Sequence, residues 1–226
     1  MPRSGRIPSP PAASPTKSNR RETVDSATGP AGTSERPYED ALRRTLGVLD
    51  RLRIRFALIG GVAVNLLGAL RTTEDADFIV DVPALRQPEL LEALAAEGAS
   101  FGETDLGPRR IEDLLRDWSQ DGLTCVFFGT VRIDLLRPID PLHREALDRA
   151  RPFRWDRFEI RVPPPEYIIL DKLIAGRPKD LEDVRRLAAV FGNGLDRGII
   201  DPWLGPIERS GGIAESEARG LLQASD

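Results

Sequence analysis

The chain has 226 residues, 40% hydrophobic and 30% charged, with a formal net charge of -4; that suits one domain, or one domain with a small partner, and a core of real size. Residues 1–37 hold six basic side chains (Arg3, Arg6, Lys17, Arg20, Arg21, Arg36) against three acidic ones (Glu22, Asp25, Glu35), a balance of +3 that leaves -7 on the remainder. An acidic body argues against a dedicated nucleic-acid coat protein, which needs a broad basic face, but not against an enzyme that meets RNA through one local patch.

Cys125 stands alone and His143 is the sole histidine, so an intramolecular disulfide and any thiolate or imidazole zinc cluster are excluded by counting. No apolar run approaches the roughly 18 residues needed to span a bilayer. The N-terminus shows no apolar signal core, which makes the cytoplasm the expected compartment.

In chain order, residues 1–37 are rich in Pro, Ser, Gly and Arg, with Ile7 and Val24 the only large aliphatics after Met1. They read as a disordered basic tail, and Pro8, Pro10, Pro11 and Pro15 stand against an amphipathic targeting helix. From Tyr38 onward Leu42, Leu46, Leu49 and Leu52 recur at helical spacing. Residues 56–59 read as a buried strand entering a tight turn at Gly60-Gly61, and 62–70 as a short, mostly buried helix. Residues 75–82 alternate carboxylates with Ala76, Phe78 and Val80, as a half-wet strand does. A surface helix is expected over 88–98, and a β-hairpin over 123–128 and 131–136 across Gly129-Thr130. One more strand is expected over 158–162, then helices over 166–175 and 179–191, broken at Gly176-Arg177-Pro178. The expected fold class is α/β, in its α+β form: a small mixed sheet flanked by helices, with a C-terminal helical extension. Division is expected into 1–37, 38–148 and 149–226.

On a strand, Asp75 and Asp77 share a face with Cα atoms roughly 7 Å apart. Two such carboxylates repel, and a cation removes the conflict; Mg²⁺ accepts one or two carboxylates and completes its shell with phosphate oxygens and water. Asp134, on a predicted strand, supplies a third carboxylate for a two-metal site, placed to bind the catalytic metal and help deprotonate an acceptor hydroxyl. Gly60 and Gly61 let the backbone approach phosphate, with the N-terminus of the next helix aimed at the anion. Arg71 either pairs with a carboxylate or faces phosphate, and Thr72 and Thr73 add hydroxyl donors. Each feature has a plainer reading: a simple turn, a solvated strand edge, and a salt bridge from Asp134 to Arg132 or Arg137.

Taken together, these residues resemble the nucleotidyltransferase superfamily related to DNA polymerase beta. The pattern is a strand, Gly-Gly, a short helix, Arg71-x-Thr73-x-Asp75-x-Asp77 and the later Asp134 strand. The resemblance implies an NTP substrate and two Mg²⁺ ions held by Asp75 and Asp77, with Asp134 completing the triad. A second stretch, Pro165-Glu166, Lys172, Arg177-Pro178-Lys179-Asp180 and Asp183, looks like the signature of AbiEii-type nucleotidyltransferases. That likeness implies that Lys172 and Asp180 contribute to nucleotide binding or activity. Some members are toxins paired with antitoxins, so an antitoxin protein joins the expected partners.

Physically, Lys172 suits neutralising phosphate charge, with Arg177 and Lys179 on the triphosphate tail. Asp180 alternatively caps the following helix. Where many superfamily members carry Gly-Ser, this chain has Gly61-Val62, which removes one phosphate donor. The acceptor is open: a tRNA 3′ end or a protein hydroxyl suits a toxin-like member, an aminoglycoside-type small molecule a resistance-like one. The run Arg149, Arg151, Arg154, Arg157 and Arg161 reads as a solvated face or as an RNA-contacting strip, and His143 as a surface-loop residue. A regulatory module without catalysis is the reading of a different class; the presence of all three carboxylates stands against it.

Overall fold

The computed structural model describes residues 37–102, 109–155 and 157–223. The tail expected over 1–37 lies outside the described residues except for Pro37, which opens helix α1 (Pro37–Arg51). Proline suits a first helical position, where its missing N–H is no loss. Glu39 and Asp40 follow in the first turn, and Leu42, Leu46, Val48 and Leu49 are buried along one face.

A four-stranded sheet forms the centre, in the order β1-β2-β4-β3, from β1 (Arg55–Ile59), β2 (Asp75–Asp81), β3 (Leu123–Phe128) and β4 (Val131–Leu136). β1 and β2 are antiparallel, β2 and β4 parallel, β4 and β3 antiparallel, so the sheet is mixed as expected. The β3–β4 hairpin falls on the predicted residues, because its alternation and Gly129-Thr130 turn are local signals. Ala76, Phe78, Ile79 and Val80 of β2 are buried, and full burial of a side chain such as Phe78 is worth about 1.5–3 kcal/mol.

Two groups of helices pack around this sheet. One comprises α1, α3 (Gln87–Ala96) and α4 (Ile111–Asp121); the other comprises α2 (Gly60–Leu66), α5 (Pro141–Arg149) and α6 (Pro165–Ala175). Then α7 (Pro178–Phe191) packs on α6, and α8 (Arg197–Arg209) and α9 (Glu215–Leu221) complete the helical extension. Gly176, with φ +62°, ends α6 in the left-handed region, and Pro178 opens α7 two residues later; the predicted break between these helices follows from that pair.

Three expectations need correction, and three elements were not foreseen. α2 stops at Leu66 rather than running to residue 70, because the chain turns through Gly68 at φ +97°; Leu70 is left 80% exposed. No separate turn precedes α2, since Gly60 and Gly61 are already its first residues. The strand over 158–162 is β6 (Phe158–Val162), but it leaves the main sheet and pairs with an unforeseen β5 (Arg151–Trp155). His143 lies on α5, which the sequence reading passed over although Asp140 and Pro141 mark its start, with the Asp140 side chain accepting from the His143 N–H. α4 was also missed, though Ile111, Leu114, Leu115 and Trp118 show helical spacing, and Leu114 and Trp118 are buried.

Candidate active site

The parallel register of β2 and β4 sets Asp77 directly beside Asp134, with Asp75 two residues back and opposite Arg132. Neighbouring strands run about 4.8 Å apart, so three carboxylates from two strands share one end of the sheet. β1 delivers the glycines to the same place, because Ile59 pairs with Asp77 and the chain turns into α2 immediately after.

The double glycine has a close-range reason. Gly60 sits at φ +64°, and a Cβ there would overlap the Asp77 carboxylate; a Cβ on Gly61 would press on the Arg71 guanidinium and lie 2.6 Å from Thr73 Oγ1. The first turn of α2 therefore meets the residues of the carboxylate strand and its approach. Thr73 Oγ1 lies 3.0 Å from Asp75 Oδ1 and 3.1 Å from its carbonyl oxygen, which also accepts from the Tyr38 hydroxyl at 2.9 Å. The Arg71 N–H donates to Asn65 Oδ1 at 2.7 Å, pinning the approach loop to α2.

Negative charge accumulates here without full compensation. Burial, then the neighbouring Asp75 and Asp134, push the Asp77 carboxyl up to about 6, against the opposing pull of Lys172. Burial also raises Asp134, although Arg132 Nε sits 2.7 Å from its Oδ1 and opposes the shift. The salt bridge expected as Asp134's plainer role is thus present, with Arg132 as its partner. Burial and the charges of Asp75 and Asp77 hold the Tyr38 phenol protonated.

Three hard oxygen donors on adjacent strands, with like charges in mutual conflict, have the chemistry for a divalent cation such as Mg²⁺. As the side chains stand, Thr73 holds one oxygen of Asp75 and Arg132 one of Asp134. Among the described residues no group of three His, Cys, Asp or Glu side chains converges into a ligand cluster.

A second acidic cluster lies on α7. Asp180 is fully buried and Asp183 nearly so. Lys172 Nζ is 2.9 Å from Asp180 Oδ1 and 3.4 Å from Asp183 Oδ2; Arg177 Nε reaches Asp180 Oδ2 at 2.5 Å and Arg71 Nε reaches Asp183 Oδ1 at 3.3 Å. Asp180 does not cap α7, whose N-cap Arg177 makes no side-chain capping bond. Burial opposes its charge, but the bonds from Arg177 and Lys172 prevail and lower its carboxyl. Lys172 is itself buried, and its charge is felt at Asp77.

The fold therefore gathers Gly60, Gly61, Arg71, Thr73, Asp75, Asp77 and Asp134 at one place, and links them to Lys172, Asp180 and Arg177 through Arg71, Asp183 and the reach of charge. Lys179 is exposed, and no ion pair ties it to a carboxylate among the described residues. The basic run divides: Arg151 shares the β5–β6 face of Ile160 and Val162, Arg154 and Arg161 the other face around Glu159, and Arg157 stacks on Phe158 at 5.0 Å. Tyr38 and Asp171 went unassigned from sequence, and Asp183 was named only as part of the signature, without a partner. Asp183 had a readable signal, since it stands three residues after Asp180 on a helix and so shares its face; the link from Tyr38 to Asp75 spans 37 residues and had none.

Over residues 40–201 the sequence matches the family model described as nucleotidyl transferase AbiEii toxin, type IV TA system. Comparison with curated protein sequences gives no match. Among solved structures, the chain is similar to the antibiotic-resistance factor ANT(2'')-Ia, at 16% identity over 76% of this chain and 93% of that one, with a TM-score of 0.48. It is also similar to an antigenic nucleotidyltransferase-like protein from Paracoccidioides brasiliensis, at 16% identity over 83% and 94%, TM-score 0.48. The lincomycin-bound lincosamide antibiotic adenylyltransferase LnuA is similar at 13% identity over 67% and 97%, TM-score 0.46.

Proposed function

Because the chain belongs to the AbiEii family of nucleotidyltransferases, we propose that it moves the nucleoside monophosphate of an NTP onto an acceptor hydroxyl and releases pyrophosphate. The observation that carries this reading is the register placing Asp77 beside Asp134, with Asp75 on the same strand face and Gly60 closed against them. Asp75, Asp77 and Asp134 would hold two Mg²⁺ ions, whose chemistry there is to neutralise phosphate charge and acidify a bound hydroxyl.

The chain's own residues supply the positioning on which phosphoryl transfer depends. Thr73 and the Tyr38 hydroxyl fix the backbone and carboxylate of Asp75. Arg132 opposes the pull of burial towards a neutral Asp134. Lys172, oriented by Asp180 and Asp183, offers positive potential to the phosphates beside Asp77, and Arg177, bound to Asp180 through Nε with its side chain 59% exposed, would offer its remaining guanidinium nitrogens to the triphosphate tail, with Lys179 beyond it. Arg71, tied to Asp183, braces the approach loop. In this reading residues 38–148 carry the transfer centre, and 149–226 add Lys172, Asp180 and the surface that selects the acceptor.

The acceptor we propose is macromolecular, a tRNA 3′ end or a protein hydroxyl, in line with a toxin-like role in the cytoplasm under the control of an antitoxin protein. Among the described residues no helix is long and apolar enough to cross a membrane. Incubating the full chain with each α-labelled NTP, Mg²⁺ and a cell lysate tests the reading. Label should enter RNA or protein; label confined to small molecules would contradict the macromolecular acceptor, and none anywhere would contradict transfer itself.

A further inference from the structure

His143 is held at both ring nitrogens. Nδ1 lies 2.8 Å from Asp140 Oδ2, and Nε2 lies 3.3 Å from Asp171 Oδ1 on α6. The His143 main-chain N–H also donates to Asp140 Oδ1 at 2.8 Å, so the cap of α5 and the clamp on the ring are one residue. A neutral imidazole carries a single N–H and cannot donate to two carboxylates; an imidazolium can. Burial disfavours that charge, but the bonds from Asp140 and Asp171 outweigh it and push the ring up to about 9.

This is a costly way to hold an ordinary surface aspartate. The His143 side chain is only 17% exposed, while that of Asp171 is 30% exposed. Asp171 Oδ1 is fixed by the ring, and its Oδ2 has no hydrogen-bonding partner among the described residues. Asp171 precedes Lys172 on α6, the helix that packs against both α2 and α7 and so borders the same centre.

Resting on the nucleotidyl-transfer reading, we infer that Asp171 is a fourth carboxylate of the centre: positioned by His143, its free oxygen accepts the hydrogen bond of the acceptor hydroxyl and takes that proton during transfer. In the step, the acceptor oxygen bonds to the α-phosphorus while the bond from that phosphorus to the bridging oxygen of the β-phosphate breaks. Pyrophosphate leaves with the electron pair, and the hydroxyl proton passes to Asp171 Oδ2 and then to water. The class of acceptor this serves is an alcohol, on ribose, sugar or a hydroxyl side chain. Asp171 is then a catalytic residue and His143 a positioning residue.

The test uses the full chain without a histidine tag, α-labelled NTP, and the lysate fraction that the wild-type protein labels. Asp171→Asn is expected to lose at least about 100-fold in transfer, while calorimetry shows Mg²⁺ with a non-hydrolysable NTP binding as in wild type. His143→Gln, which removes the charge but leaves Asp171 in place, should lose roughly tenfold, with the KM for acceptor rising and nucleotide affinity unchanged. His143 is the sole histidine, so its ring can be titrated by NMR without ambiguity; Asp171→Asn should bring its midpoint down from about 9 towards its ordinary value. Transfer by Asp171→Asn within about threefold of wild type would overturn the inference, and so would loss of nucleotide binding in that variant. A wild-type protein that moves no label from any NTP would instead overturn the transfer reading, and this inference with it.

Discussion

Two acidic clusters lie close together in this molecule and are built in opposite ways. At the sheet end, Asp75, Asp77 and Asp134 crowd like charges, and the Asp77 carboxyl is pushed up. On α7, Asp180 and Asp183 are more deeply buried, yet they are matched by Lys172, Arg177 and Arg71, and the Asp180 carboxyl is held down. Burial alone therefore does not separate a charge-crowded aspartate from a charge-balanced one. Charge left over after every protein partner is counted marks the place where a ligand belongs, whereas charge already balanced marks the part that holds the place in shape.

Substitutions should split the two clusters by the kind of loss they cause. Asp77→Asn removes a charge its neighbours oppose, so transfer should fall by about a thousandfold or more while the melting temperature holds or rises. Paired activity and thermal-melt measurements check this, and a fall in both would erase the contrast. Asp180→Ala should do the reverse to stability: it strands the buried Lys172 ammonium and should cost about 3–5 kcal/mol in a urea titration.

The His143 clamp offers a comparison within one residue. Its folded-state pKa, near 9, lies above its ordinary 6.5. The clamp's contribution is therefore fully present below about pH 6.5 and is lost as pH rises through about 9. Wild type should lose about 1–3 kcal/mol of stability across that window relative to His143→Gln, read from denaturation midpoints at several pH values. Smallest of all, Arg177→Ala should cost less than about 1 kcal/mol, because its side chain is 59% exposed and solvent screens its pair with Asp180. A larger cost would mean that Arg177 carries more of the balance at the α7 cluster than its exposure implies.

Much of the sheet was legible because its signals are local. Alternation marked β2 and the β3–β4 hairpin, and Gly176 with Pro178 marked the break between α6 and α7. The carboxylates were legible too, since strand period and apolar flanks give their faces away. Gly60 and Gly61 were identified, but with an incomplete reason: they were read as room for phosphate, whereas their immediate neighbours are Asp77, Arg71 and Thr73.

What escaped depends on long separations. The bond from His143 to Asp171 spans 28 residues and the ion pair from Arg71 to Asp183 spans 112, and no period in the sequence announces either. Missing α5 turned His143 into a loop residue, so its clamp could not be foreseen. β5 escaped for another reason: four of its five residues, Arg151 to Arg154, are exposed, so it lacks the buried alternation that betrays a strand.

The most direct test of the central contrast is a Mn²⁺ titration of the full chain with a non-hydrolysable NTP, followed by electron paramagnetic resonance of the free ion. Wild type should take up the ion, and Asp77→Asn should lose most of that uptake while staying folded. Equal uptake by Asp77→Asn and wild type would contradict the claim that the uncompensated carboxylates on β2 and β4 are the metal-holding transfer centre.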